Sequence, residues 1–154
     1  FVPFAMSNPP QPTRSLELKL LLPAPIELVW QVWTQPEEIR NWWGPDGFTN
    51  DIKKMDVAEN GEWIFTMKGQ DGKTFPNKSI FREIIKNKKI VFEHFNPGYV
   101  ATVMFEPKGK ETHMEWTMEF ATEEMYNIVV KTFKADEGFR QNGEKLMSYL
   151  RSHP

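Results

Sequence analysis

Apolar side chains change their period once along this chain, and that change restricts the fold more than any motif. From Thr49 to Phe120 they recur every second residue; from Thr122 to the end they recur every third or fourth. A period of two marks strands with one buried face, and a period near 3.6 marks a helix with one buried stripe. Strands in unbroken succession with short polar connections form an antiparallel meander. A sheet of that kind has one apolar face to cover, and a single amphipathic helix following it is the available cover.

The individual strands follow from the punctuation. Ser15–Leu22 reads as a first strand, stopped by Pro23-Ala24-Pro25. Pro25 suits the first turn of a helix, whose face carries Ile26, Val29, Trp30 and Trp33. Thr34-Gln35-Pro36 breaks this helix, and a second short one carries Glu37 and Glu38 in its first turn and Ile39, Trp42 and Trp43 on its buried side. Gly44-Pro45-Asp46-Gly47 turns the chain. Thr49–Val57 is then a strand, Glu59-Asn60-Gly61-Glu62 a hairpin turn, and Trp63, Phe65 and Met67 one face of the next strand. Lys73–Ile85 reads as a long strand interrupted near Pro76. Ile90–Phe95, Tyr99–Glu106 and His113–Phe120 complete the run, the last with Met114, Trp116, Met118 and Phe120 on one face.

Thr122 is placed to cap the closing helix, with Glu123 and Glu124 in its first turn. Its stripe runs through Met125, Ile128, Val129, Thr132, Ala135, Phe139, Gly143, Leu146, Met147 and Leu150. A straight helix over 123–152 would span about 45 Å, with a break expected near Lys134–Glu137. Thr132 and Gly143 leave gaps on that stripe for sheet side chains or a ligand to fill.

The 154 residues fit one domain, with residues 1–14 read as a disordered-type tail and 15–152 as the domain. Phe1 to Ala5 precede Met6 and read as a non-native leader. Phe1 and Phe4 are expected to rest in a groove of the same domain or of a neighbouring molecule. Without cysteine there are no disulfides, thiolate metal sites or Cys nucleophile, which fits a reducing cytoplasm. A net charge of −2 with interspersed signs makes no basic field for nucleic acid. No apolar run reaches the roughly 20 residues of a membrane span. Six Trp, twelve Phe and eight Met are the compositional excess, and such side chains build cores and line apolar pockets alike.

The order of elements, with Pro25-Ile26-Glu27-Leu28-Val29-Trp30 entering the first helix, resembles the helix-grip superfamily called SRPBCC or START-like. Val29-Trp30-Gln31-Val32-Trp33-Thr34-Gln35-Pro36-Glu37 and Trp42-Trp43-Gly44-Pro45-Asp46-Gly47-Phe48 resemble the branch named after the activator of the heat-shock-protein-90 ATPase. Phe81-Arg82-Glu83-Ile84, Glu137-Gly138-Phe139-Arg140-Gln141 and Leu146-Met147-Ser148-Tyr149-Leu150 fit the same branch, so the likeness runs from Ser15 to Leu150. The resemblance implies an α+β helix-grip fold of about seven strands around a long C-terminal helix, with a deep cavity between them. It does not imply an enzyme, since members include lipid carriers, hormone-binding proteins and cyclases.

The expected cavity walls are Trp43, Phe48, Trp63, Phe65, Met67, Phe81, Phe92, Phe105, Trp116, Met118 and Phe139, with His94 in register behind Phe92. The competing reading of each is solid core. His94 is either an inward acid–base or headgroup-binding imidazole, or a histidine hydrogen-bonded at a strand end. Glu83 shares the alternation of Phe81 and Ile85 and would need a partner if buried. Trp42 and Trp43 either guard a cavity mouth or plug the space between helices and sheet. His94 and His113 stand 19 residues apart with no metal-ligand spacing, and neither a catalytic triad nor a cofactor motif is present. The leading expectation is a binding protein for a small apolar or aromatic molecule, as monomer or homodimer. The alternatives are a protein–protein adaptor or co-chaperone-like regulator, and a cyclase- or hydrolase-like cavity enzyme using His94.

Overall fold

The computed structural model describes residues 14–152. The tail and the expected resting place of Phe1 and Phe4 lie outside the described residues. Arg14, assigned above to the tail, is tied to the domain: its carbonyl accepts from Phe120 N at 2.8 Å and its guanidinium meets Glu119.

Seven strands form one antiparallel sheet: β1 (Ser15–Leu22), β2 (Thr49–Met55), β3 (Glu62–Lys68), β4 (Thr74–Ile85), β5 (Lys89–His94), β6 (Tyr99–Lys108) and β7 (Glu111–Phe120). Their order is β1-β7-β6-β5-β4-β3-β2, so the meander runs from β2 to β7 and the first strand closes beside the last. The helices are α1 (Ile26–Thr34), α2 (Pro36–Ile39), α3 (Glu123–Phe133) and α4 (Ala135–Ser152). This is the α+β helix-grip architecture expected from the order of elements.

Two local departures have physical causes. Pro76 does not interrupt β4, because it pairs opposite Thr66 within a continuous ladder. The β4 alternation instead fails further on, where the register with β5 shifts between Phe81 and Glu83. A bulge of this kind reverses the faces beyond it. Phe81 and Ile84 therefore join the core, while Ile85 is exposed and Glu83 leaves the phase of Phe81 to pair with Lys89 at 2.9 Å. The closing helix is two helices, divided where a break was expected. Lys134 adopts a left-handed conformation at φ 54° and separates α3 from α4.

That break resets the stripe. α3 buries Val129 and half-buries Met125, Tyr126 and Val130, whereas Ile128 and Thr132, expected on the buried face, are exposed. Thr122 caps α3 as expected, accepting from Met125 N at 3.0 Å. On α4 the stripe holds: Phe139, Asn142, Gly143, Leu146 and Leu150 are buried. The gap at Gly143 is filled by β1, since a Cβ there would stand 2.4 Å from Leu18 Cδ2. On α1 Val32 is buried with Ile26, Val29 and Trp33, and Trp30 is only half-buried.

Candidate functional site

The concave face of the sheet is built from cross-strand rows. One runs Trp63–Ser79–His94–Tyr99–Phe120 from β3 to β7; the next runs Phe81–Phe92–Ala101–Met118. A third places Val103 beside Trp116. Over these rows lie Trp33 from α1, Trp42 and Trp43 from the turn after α2, and Phe139 from α4. Trp43 joins the groups: its ring centroid is 4.8 Å from Trp63, 5.4 Å from Trp116 and 6.0 Å from Trp33. Phe139 meets Trp116 edge to face at 4.8 Å. Phe81 stacks with Trp63 at 5.9 Å, and Phe105 meets Trp33 at 6.0 Å. Ring packs on ring, in the edge-to-face and offset geometries that aromatic quadrupoles favour.

The polar atoms of this cluster are unevenly served. Trp42 Nε1 donates to Val32 O at 3.1 Å. The indole N–H groups of Trp33, Trp63 and Trp116 and the hydroxyl of Ser79 are buried without a partner among the described residues. Each of these four residues is at most 2 % exposed. An unpaired buried donor costs about 1–3 kcal/mol, so three indoles in one cluster are an unusual concentration of unmet hydrogen bonding.

The Trp42–Pro45 turn is held from two sides. Asn142 on α4 accepts from Gly44 N at 3.0 Å and donates to Trp42 O at 2.9 Å. Asn50 on β2 donates to Trp43 O at 2.9 Å, and Lys145 reaches Pro45 O at 3.2 Å. Gly44 sits at φ +94°, a conformation natural to glycine. The turn therefore fixes Trp42 and Trp43, at 0 % and 7 % exposure, as a plug between helices and sheet.

His94 points inward and is 6 % exposed. Its Nδ1 lies 2.9 Å from Pro97 O and its Nε2 2.7 Å from Asn77 Oδ1, and its ring stacks on Tyr99 at 4.7 Å. Burial lowers the His94 imidazole below its ordinary 6.5, against the raising effect of the Pro97 carbonyl. Burial raises the Tyr99 phenol. Both ring nitrogens of His94 thus face protein oxygens at the end of β5.

The family profile of the Activator of Hsp90 ATPase homolog 1-like protein matches residues 23–151. The chain belongs to this family. Among solved structures, a protein from Nitrosomonas europaea is 23% identical, with a TM-score of 0.82 over 91% of this chain and 96% of its own. A protein from Arthrobacter aurescens is also 23% identical, with a TM-score of 0.85 over 91% and 87% of the two chains. A family relative from Aeromonas hydrophila, an AHSA1-like protein, is 17% identical with a TM-score of 0.73 over 90% and 94%. At these identities the likeness establishes the fold. No curated protein matches the chain.

The Trp-Trp-Gly-Pro segment that carries the family likeness is thus the plug that Asn142, Asn50 and Lys145 hold. Of the expected walls, Trp43, Trp63, Phe65, Phe81, Phe92, Phe105, Trp116 and Phe139 are buried in or beside the ring cluster. Met118 is half-buried in the Ala101 row. Phe48 and Met67 stand at the β2–β3 end, where Phe48 meets Phe75 at 6.0 Å. The described surface recesses lie elsewhere. One of about 570 Å³ is bounded by Glu27, Trp30, Gln31, Thr34, Glu38 and Lys86; another of about 460 Å³ lies against Glu123, Asn127, Ile128 and Lys131. Sequence reading missed Trp33 as a wall, and missed Asn142, Ser79, Asn77 and Tyr99. Ser79 had a signal, two residues before Phe81 in the same alternation.

Proposed function

We propose that this family member binds a small aromatic or apolar molecule bearing a hydrogen-bond acceptor, held between the concave face of the sheet and α4. One observation carries the reading: the indole N–H groups of Trp33, Trp63 and Trp116 lie buried and unpartnered within one aromatic cluster. Indole N–H can only donate, so the missing component is an acceptor. The surrounding rings would bury an apolar body, at about 25 cal/mol per Å² removed from water. The helix-grip superfamily includes carriers of apolar molecules, which agrees with this reading. Because ring packs on ring here, the guest enters by parting Trp43, Trp116 and Phe139 rather than by filling an open chamber.

Two observations weigh against the alternatives. A catalytic role would need a ring nitrogen of His94 turned to a substrate, and both face protein oxygens within 3 Å. An adaptor would need a continuous apolar patch. On α3, at least, the exposed Ile128 and Phe133 are five residues apart, about 140° around the helix, and do not form one. Titration with uncharged 2-acetylnaphthalene, followed by quenching of tryptophan fluorescence, tests the proposal. Saturable quenching that weakens in Trp116→Phe supports it; linear, unsaturable quenching contradicts it.

A further inference from the structure

The Trp63–Ser79–His94 row has a chemistry of its own. Ser79 stands directly opposite Trp63 on one side and His94 on the other, which places neighbouring Cβ atoms about 5 Å apart on one face. Trp63 Nε1 and Ser79 Oγ are buried without partners among the described residues, so this row holds two unused donors. His94 adds a proton deficit. Asn77 Nδ2 donates to Phe75 O at 3.0 Å, which turns its Oδ1 toward His94 Nε2 at 2.7 Å. Nδ1 faces a second oxygen, Pro97 O, at 2.9 Å. A neutral imidazole has one N–H for these two acceptors, whereas the imidazolium has two.

What opposes the imidazolium is burial without an anion. Among the described residues, the ring nitrogens of His94 are hydrogen-bonded to a carbonyl and an amide oxygen and to no charged group. Tyr99 on β6 is the titratable side chain against it, and on β4 it meets the uncharged Asn77 and Ser79. Glu93, its neighbour on β5, is engaged with Arg82 at 2.8 Å. One latent positive charge and two neutral donors match a monoanion. The Trp63, Phe81, Phe92 and Tyr99 rings around the row match an aromatic body.

We propose that Trp63, Ser79 and His94 form an anion seat that takes the carboxylate of a small aromatic acid, and that binding there captures one proton from solvent on the His94 ring. The inference rests on the reading that this concave face binds apolar molecules, and names the polar end of the guest. The carboxylate accepts from Ser79 Oγ–H and Trp63 Nε1–H. Its charge offsets that of the imidazolium, whose two N–H groups then donate to Pro97 O and Asn77 Oδ1. Ser79→Ala removes a hydroxyl that has no partner, so it leaves the fold intact while weakening the seat.

The test is calorimetric titration of the full chain near neutral pH with 2-naphthoate and with uncharged 2-acetylnaphthalene, each in buffers of different ionisation enthalpy. The expected results are naphthoate binding tighter by roughly tenfold, and uptake of about one proton with naphthoate alone. Ser79→Ala should bring naphthoate binding down toward that of acetylnaphthalene, and His94→Gln should abolish the proton uptake. Equal affinities without proton uptake, or uptake that persists in His94→Gln, overturn the seat and leave apolar binding standing. If neither probe binds, both proposals fail.

Discussion

The side-chain oxygen of Asn142 on α4 accepts a hydrogen bond from the backbone N–H of Gly44, 98 residues away in sequence, at 3.0 Å. Through the same amide, Trp42 O is satisfied at 2.9 Å. A single buried side chain thus ties the C-terminal helix to the turn that positions Trp42 and Trp43. Asn142→Leu would orphan one buried N–H and leave a buried carbonyl without that donor. The expected loss is about 2–4 kcal/mol of unfolding free energy, read from the midpoint of urea denaturation. A change under a few tenths of a kcal/mol would show that the clasp is ornamental.

Gly61 makes a sharper prediction. A Cβ at this position would lie 2.0 Å from the backbone oxygen of Asp56 and 3.0 Å from that of Ala58. Backbone in a tight β2–β3 connection has nowhere to go, so Gly61→Ala should cost at least about 2–3 kcal/mol, at the upper end of overpacking penalties. Gly143→Ala meets the end of a flexible side chain instead, Leu18 Cδ2. It should be milder, and combining it with Leu18→Ala should cost less than the sum of the two changes, by about 1 kcal/mol in a double-mutant cycle.

Acid should weaken the free protein through His94. Its folded pKa is depressed by burial, so its contribution is fully present above 6.5 and is lost as pH falls from there through the folded value. Unfolding free energy should therefore decline from about pH 6.5 downward, by at most about 1.4 kcal/mol per unit from one proton. His94→Gln should flatten that window. Glu62, held below 4.5 chiefly by its hydrogen bond to Lys54, acts only in a more acidic range. A His94→Gln profile that keeps the wild-type decline would contradict this assignment.

Phe139 and Trp116, 4.8 Å apart, join α4 to the sheet. Phe139→Ala should cost about 3–5 kcal/mol, since the buried ring leaves a cavity that its indole neighbours cannot fill. The loss would be read by thermal unfolding.

Most of the fold was legible because burial alone sets a period, and Thr49–Phe120 keeps a period of two through nearly every strand. What escaped were places where backbone geometry changes the phase. Nothing local in Phe81-Arg82-Glu83 announces the bulge, which depends on the register with Val91 and Phe92. The break near Lys134 was expected, but not that α3 would leave Ile128 exposed and half-bury Val130. The aromatic walls were readable by type and alternation. Ser79 and Asn142 were not, because an isolated Ser or Asn reads as solvent-facing until its neighbours across the fold are known.

The central claim is that Trp33, Trp63 and Trp116 offer their indole N–H groups to a bound guest. Proton–nitrogen correlation spectra of the full chain resolve each indole N–H, so titrating 2-acetylnaphthalene tests the claim directly. The account predicts saturable downfield shifts at one or more of Trp33, Trp63 and Trp116, with Trp42, already bonded to Val32 O, nearly unmoved. Shifts confined to the half-buried Trp30 on the outer recess, or no shift at any indole, would contradict it.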